Sequence, residues 1–269
     1  MNRAPSGPWA DLGVARSTAA RLRFATIVVG IVAFYVICLH FADVDLGKLW
    51  SGLPRLAKWV GRSFPPNFSE LDIFLRRAAE TLAMATIGTT LGVALAAPLC
   101  VLAARNTVAS SWLYTPTRWL LNCLRGVDSF VFALIFVAAV GLGPFAGVLG
   151  VGLHSAGSLA KLWSEAIEAV EPGPSEAALM SGASRLKVIL YALFPDVVPT
   201  LTSIALYVFE FNVRSATVLG IVGAGGIGQE LKNSVDLLLF DRVLAIIVVI
   251  LVMVTAIDQM SAWCRRRLL

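Results

Sequence analysis

Uncharged apolar blocks recur along the chain, separated by short charged stretches, and their lengths match membrane crossings rather than soluble helices. Arg21 and Arg23 precede residues 24–41, eighteen uncharged residues and a first span. Residues 81–104 give a second, interrupted only by glycines and Pro98. The block 129–160 holds 32 uncharged residues. As one helix it would measure about 48 Å, too long for a single crossing of a ~30 Å core. Gly141-Leu142-Gly143-Pro144 turns the chain near its middle. The pattern therefore predicts a third span from about Trp119 and a fourth ending near Ile167. A fifth covers about 197–222 and a sixth about 242–262, which makes about six transmembrane helices and an all-α integral membrane protein.

Six crossings put both termini on one side. Arg3, Arg16, Arg21 and Arg23 at one end and Arg265, Arg266 and Arg267 at the other mark that side as cytoplasmic. The expected layout is a cytoplasmic segment 1–23, a transmembrane domain 24–262 and a basic tail 263–269. Twelve Lys/Arg then lie inside and eight outside, a modest bias. The outer loop 42–80 carries six of the basic residues. Within it Leu46, Leu49, Trp50, Leu53, Leu56, Ala57 and Val60 recur at helical spacing, between Lys48, Arg55, Lys58 and Arg62. That is the pattern of a helix lying along the interface, kinked at Pro54 and ended before Pro65-Pro66.

Composition agrees with the pattern. Hydrophobic residues make up 58% of the 269 and charged residues 14%, against about 25% charged in soluble domains. This excludes a large soluble domain, a disordered chain and a disulfide-stapled module. The net charge of +5 reads as cytoplasmic loops and lipid contacts, and no basic run with interleaved aromatics points to nucleic acid. Cys38, Cys100, Cys123 and Cys264 stand apart, and His40 and His154 are the only histidines, so no metal-ligand spacing exists.

Gly223-Ala224-Gly225-Gly226-Ile227-Gly228 satisfies G-x-G-x-x-G, and Asp241 follows at a suitable distance for a dinucleotide fingerprint. Its context refuses a cofactor. The sequence before it continues an apolar helix and the sequence after Asp241 is another span, leaving too little polar chain for a parallel sheet. The remaining expectation is a flexible glycine-rich loop at the outer ends of the fifth and sixth spans.

The inner loop, about 168–196, contains Glu171-Pro172-Gly173-Pro174-Ser175-Glu176-Ala177-Ala178-Leu179-Met180-Ser181-Gly182. Pro-Gly-Pro stops the fourth helix. Ser175 is placed to cap a short new helix with Glu176 in its first turn. Gly182 permits a break, and helix resumes over 183–194 until Pro195. On residues alone, a projecting knob that docks in a partner's groove and a plain linker helix fit equally well.

Glu176-Ala177-Ala178, then Gly182 four residues on and Pro195 thirteen later, resembles the EAA loop of ABC importer permeases. Ala192 stands where isoleucine is usual. The stretch 138–149 resembles permeases of phosphonate-type importers, as does 206–220, with Glu210, Asn212, Val213 and Arg214, running into the glycine loop. Asp258, Ser261 and the terminal arginines fit that family's ending. The resemblance covers roughly Glu80 to the C-terminus. It implies a type I importer permease fold, a second copy of the chain, two ATP-binding subunits and an extracytoplasmic binding protein. It also makes Glu176, Ala177, Ala178, Gly182 and Pro195 the ATPase-coupling loop. The cargo it implies is phosphonate or a related phosphorus oxyanion. A methionine-type or other small-solute importer shares the inner loop but not the Glu-Phe-Asn-Val-Arg stretch. No G-x-x-x-x-G-K-[ST] occurs, so ATP and Mg fall to the partner, and this chain carries no cofactor of its own. No nucleophile–base or metal constellation suggests an enzyme.

Glu210 and Arg214, four apart in the fifth span, share a helix face and are expected to pair, while Asn212 points to another face. They serve either as a packing device or as a path or gate together with Gly223, Gly225, Gly226 and Gly228. Arg125 and Asp128 are expected to form a local helix pair, and His154 to be a satisfied core histidine.

Overall fold

The computed structural model describes residues 18–107 and 111–268. Arg3, Arg16 and most of the expected segment 1–23 lie outside them. The chain divides into two packing units, Met1–Lys58 and Trp59–Leu269.

In the first unit, α1 (Thr18–Phe41) is apolar on every side and its side chains from Leu22 onward are all exposed. A helix without a polar face needs lipid or other protein around it. The Asp45 carboxylate accepts from the N–H groups of Gly47 and Lys48 and starts α2 (Leu46–Arg62). As its pattern predicts, α2 is amphipathic, and it runs through Pro54 to stop before Pro65-Pro66.

In the second unit, α3 (Leu71–Ala103) lies against α6 (Pro144–Glu168) along most of its length. Lipid tails are as apolar as leucine, so close van der Waals contact rather than water exclusion holds membrane helices together, and small residues favour it. Gly88 and Gly92 supply a G-x-x-x-G stripe. A methyl group on Gly88 would come within 2.8 Å of Val151, and one on Gly92 within 2.6 Å of Ser155. This stripe, readable in the sequence, is what lets the two backbones meet.

The third expected span carries a sharp bend. Two helices stand there, α4 (Ser111–Gly126) and α5 (Ser129–Val140), meeting at 85°. Asp128 adopts extended angles and its carboxylate accepts from Phe130 N at 2.9 Å. A side chain that caps a new helix interrupts the old one, so Asp128 makes this cap rather than the expected pair with Arg125. Among the described residues, four helical stretches are long and apolar enough to cross a membrane, or five counting the bent pair. The remaining expected span, α6, has 25 residues, about 37 Å of rise, but ends in Lys161, Glu165 and Glu168 and is wrapped by α3, α4 and α5.

The chain continues through α7 (Gly173–Met180), the short α8 (Arg185–Val188) and a π turn (Ile189–Leu193) into α9 (Phe194–Leu219). A 3-10 turn (Gly220–Val222) precedes α10 (Gly226–Asp236), and α11 (Phe240–Leu268) closes the unit. Its apolar core gathers α3, α6 and α9 around Leu159, Trp163, Leu193 and Val208. A second cluster joins α3, α10 and α11 around Phe74, Ile227 and Ile246. The described residues contain no strand.

Candidate coupling loop and translocation site

The inner loop folds as the Pro-Gly-Pro sequence dictates, with one correction. Pro172, not Ser175, occupies the N-cap position of α7, and Ser175 lies in its first turn without a capping bond. Two prolines with preset φ open the helix without a side-chain oxygen. Glu176 N donates to Pro172 O at 2.8 Å, and Ser181 Oγ to Ala178 O at 2.7 Å. Gly182 then takes φ of +83° and ends the turn. None of α7 is buried, and Met180 is 90% exposed. Glu176, Ala177, Gly182 and Pro195 are exposed, and Ala178 is half-buried.

Pro195 was expected to end the helix, yet the helix runs through it. The π turn explains this. Phe194 N donates to Ile189 O, five residues back, and this widened turn relieves the clash a proline ring makes with the carbonyl four residues before it. One nearly continuous rod therefore leads from Arg185 to Leu219.

Beside α7, the ends of α3, α4 and α6 are tied by Glu168. It pairs with Arg118 at 2.8 Å and accepts from Arg105 N at 2.8 Å. Arg105 also donates to the Tyr114 hydroxyl at 2.8 Å, and this bond raises the pKa of its guanidinium. A cleft of about 510 Å³ separates this corner from Ser175 and Leu179.

Three residues of α9 tie it to three other helices. Asn212, fully buried, donates to Thr89 Oγ1 at 2.8 Å and to Ser155 Oγ at 2.7 Å, binding α3, α6 and α9 together. Glu210 and Arg214 do not pair with each other. Glu210 meets Arg265 at 2.6 Å, and Arg214 meets Asp258 at 2.9 Å. The reason is geometric: α11 runs antiparallel to α9 and presents Asp258, Ser261 and Arg265 on one face. The three-and-four spacing of those residues was the available signal, since each charge on α9 needs an opposite one within reach.

The glycine loop is also corrected. It is a buried break between α9 and α10, with Ala224 to Gly228 all inaccessible and Gly223 half-buried. Ile227 N donates to Thr81 Oγ1 at 2.8 Å, and Gly143 N to Gly223 O at 3.0 Å. Thr81 lies ten residues into α3, about 15 Å from its start. Gly223, Gly225 and Gly226 have φ of +90°, +81° and +72°. A methyl group on Gly225 would stand 2.8 Å from Glu80 Oε1, and one on Gly228 would collide with the carbonyl of Thr217. Only residues without a side chain fit so close a junction. Above the break, Arg77 joins Glu80 at 2.8 Å and Glu230 at 3.5 Å, while Arg242 joins Glu70 and Glu230. His154 is satisfied as expected, its Nδ1 lying 2.9 Å from Val127 O. Among the described residues no cluster of His, Cys, Asp or Glu fits a metal ion.

The chain is similar to known proteins. The phosphite transport system permease protein PtxC of Stutzerimonas stutzeri is 42% identical over 240 residues, 89% of this chain and 86% of that one. HtxC of the same organism is 50% identical over 249 residues, 92% of this chain and 88% of that one. Among solved structures, an inward-facing form of the MetNI methionine ABC transporter matches with a TM-score of 0.65. It is 21% identical and covers 75% of this chain and 99% of that one; at that identity the likeness speaks for the fold, a type I importer permease. The family model for binding-protein-dependent transport system inner membrane components matches residues 88–269, and with its α7 loop, its helical rod and its buried break the chain belongs to that family.

Proposed function

We propose that this chain is the pore subunit of an ATP-driven importer for phosphite, phosphonate or a related phosphorus oxyanion in a bacterial cytoplasmic membrane. It works as two copies, with two ATP-binding subunits on the side of α7 and an extracytoplasmic binding protein opposite. ATP and Mg are bound and used by the partner, and both termini face the cytoplasm. The transmembrane domain is 24–262, with the outer loop 42–80 bearing α2 and the coupling loop at about 168–196.

The observation that carries the reading is α7, a helix with no buried residue at the foot of a rod ending at the break. The phosphite-system relative with similar coverage of both chains supports the cargo. An ATPase gripping Glu176, Ala177 and Ala178 pulls α7. Gly182 lets it swivel, and the π turn before Pro195 passes the motion into α9. At the far end Gly223, Gly225, Gly226 and Gly228 let the rod pivot on α3 and α6. Glu210 and Asn212 keep it in register with its neighbours, and Arg214 lines the path.

The test is reconstitution. The chain, co-expressed with its ATPase and binding protein, should copurify with the ATPase and move labelled phosphite or methylphosphonate into proteoliposomes only with ATP. Methionine uptake without phosphite uptake would replace the cargo assignment. Failure of any ATPase to copurify would remove the coupling role.

A further inference from the structure

The two ion pairs along the α9–α11 seam are not alike. The Glu210 and Arg265 side chains are 10% and 28% exposed, whereas those of Arg214 and Asp258 are 54% and 40% exposed. Asp258 lies eighteen residues into α11, about 27 Å from its start, and residues 243–257 before it carry no charge. Hydrocarbon is an unfavourable place for half-exposed charges, so the face that bears this pair turns toward water or protein.

The contact is also incomplete. Asp258 engages Arg214 through Nη2 alone, with its two oxygens at 2.9 and 3.0 Å. The Nε and Nη1 donors take no hydrogen bond among the described residues. One turn along, Ser261 Oγ is fully buried without a hydrogen-bond partner, on the face shared by Asp258 and Arg265. Unused guanidinium donors and an unsatisfied hydroxyl therefore sit on one polar seam of an apolar span.

We propose that Arg214 is an oxyanion contact of the translocation path and that Asp258 is a built-in competitor which keeps the contact brief. The proposal rests on the phosphorus-oxyanion reading above. A free guanidinium would grip such an anion through a two-point fork. Here Asp258 already neutralises the charge and occupies Nη2, which belongs to both fork edges. The anion first meets Nε or Nη1 singly and gains a second bond only by displacing the carboxylate. A path must hold its cargo strongly enough to admit it and weakly enough to release it; the competing carboxylate sets that balance. Glu210 with Arg265, more deeply buried, has the separate work of fixing α11 against α9.

The experiment uses the permease–ATPase–binding-protein complex in proteoliposomes, with labelled phosphite outside and unlabelled phosphite or inorganic phosphate in the lumen. Asp258→Asn should assemble, lose about tenfold in initial uptake, and become inhibited by lumenal anion at concentrations that leave the native complex unaffected. Arg214→Lys, which keeps the charge and loses the fork, should assemble, lose at least about fivefold in uptake and remain insensitive to lumenal anion. It also carries the test should Asp258→Asn fail to assemble. Native-rate uptake by either variant overturns the proposal. So does restored uptake in the double variant Arg214→Met with Asp258→Leu, which would make the pair a packing device. Arg214→Cys that forms permease dimers by disulfide in every nucleotide state would place this face between copies and overturn it too. A native complex that moves neither phosphite nor methylphosphonate refutes the reading beneath the proposal as well, a result seen before any variant is made.

Discussion

Two glycine-bearing turns flank the same helical rod, and the sequence makes them look alike. Gly182, at the α7 end, and Gly223 to Gly228, at the α9 end, both interrupt helix, and both use positive φ. Their surroundings differ completely. A side chain added at Gly182 would meet nothing within 4 Å, whereas one at Gly226 would meet Thr81 and one at Gly228 the backbone of Thr217. The first turn needs glycine only for its backbone angle. The second needs it for angle and for volume, because α3, α6, α9 and α10 all converge there. An exposed turn offered to a partner and a buried junction under load thus arise from one residue type. Their tolerance to substitution should separate them.

The largest effect is expected at the junction. Gly228→Val places carbons where the Thr217 carbonyl stands, and backbone cannot yield as a side-chain tip would. Overpacking of this kind costs about 3 kcal/mol or more. The variant should give little monodisperse protein in detergent and a strongly lowered thermal midpoint. A native-like midpoint would mean that the break is loose, and the contrast with Gly182 would collapse.

A smaller loss is expected one contact away. Thr81 Oγ1 accepts from the buried Ile227 N–H. Thr81→Val keeps the shape and removes the acceptor, leaving that N–H unpaired at a cost of about 1–3 kcal/mol. Thermal unfolding of the purified complex should show a clear drop, whereas Thr90→Val, on an exposed face of the same helix, should not. Equal shifts would mean that the break is not anchored through this bond.

What the sequence reveals here divides along the same line. The long apolar blocks, the Pro-Gly-Pro stop and the Glu-Ala-Ala loop are local signals, and the helices around them stand where their spacing puts them. The largest errors concern partners distant in sequence. Glu210 and Arg214 satisfy the four-residue rule for a pair, but α11 offers each a better partner, and no local rule ranks Asp258 above Glu210. The glycine run reads as a flexible surface loop because glycine permits flexibility; only the converging backbones of Thr217 and Thr81 show that it is there for lack of volume. At Asp128, one capping carboxylate outweighs an apolar run that otherwise reads as a single span. Pro195 reads as a stop, and five residues of π turn let the helix pass it. Gly88 and Gly92 carried a legible packing signal that points to the α3–α6 contact.

At the exposed turn, Gly182→Val should leave folding nearly intact and act on coupling. A branched side chain at φ of +83° is strained by about 1–2 kcal/mol. The exposed chain can relieve that strain by reorienting α7, with no core to oppose it. The complex should insert with a thermal midpoint close to native while ATP-driven uptake is lost. Native uptake would remove the coupling loop from the mechanism, and loss of insertion would make Gly182 as structural as Gly228.

The smallest effect is expected from Gly182→Asn. Asparagine enters the left-handed region more readily than other residues with a side chain, because its short amide bonds locally to the backbone. With nothing within 4 Å to strike, the substitution should cost well under about 1 kcal/mol and leave most uptake intact. The pair Val and Asn at one position therefore separates angle from bulk. If both abolish uptake while both fold, the partner's groove rejects any side chain at 182, and the turn is volume-limited in the assembled complex as the buried break is within the chain. If Asn transports and Val does not, the angle alone matters at this end of the rod. The second outcome is expected, since α7 exposes Met180 as its most prominent side chain, and a groove that takes Met180 two residues earlier has its tightest fit there rather than at the turn.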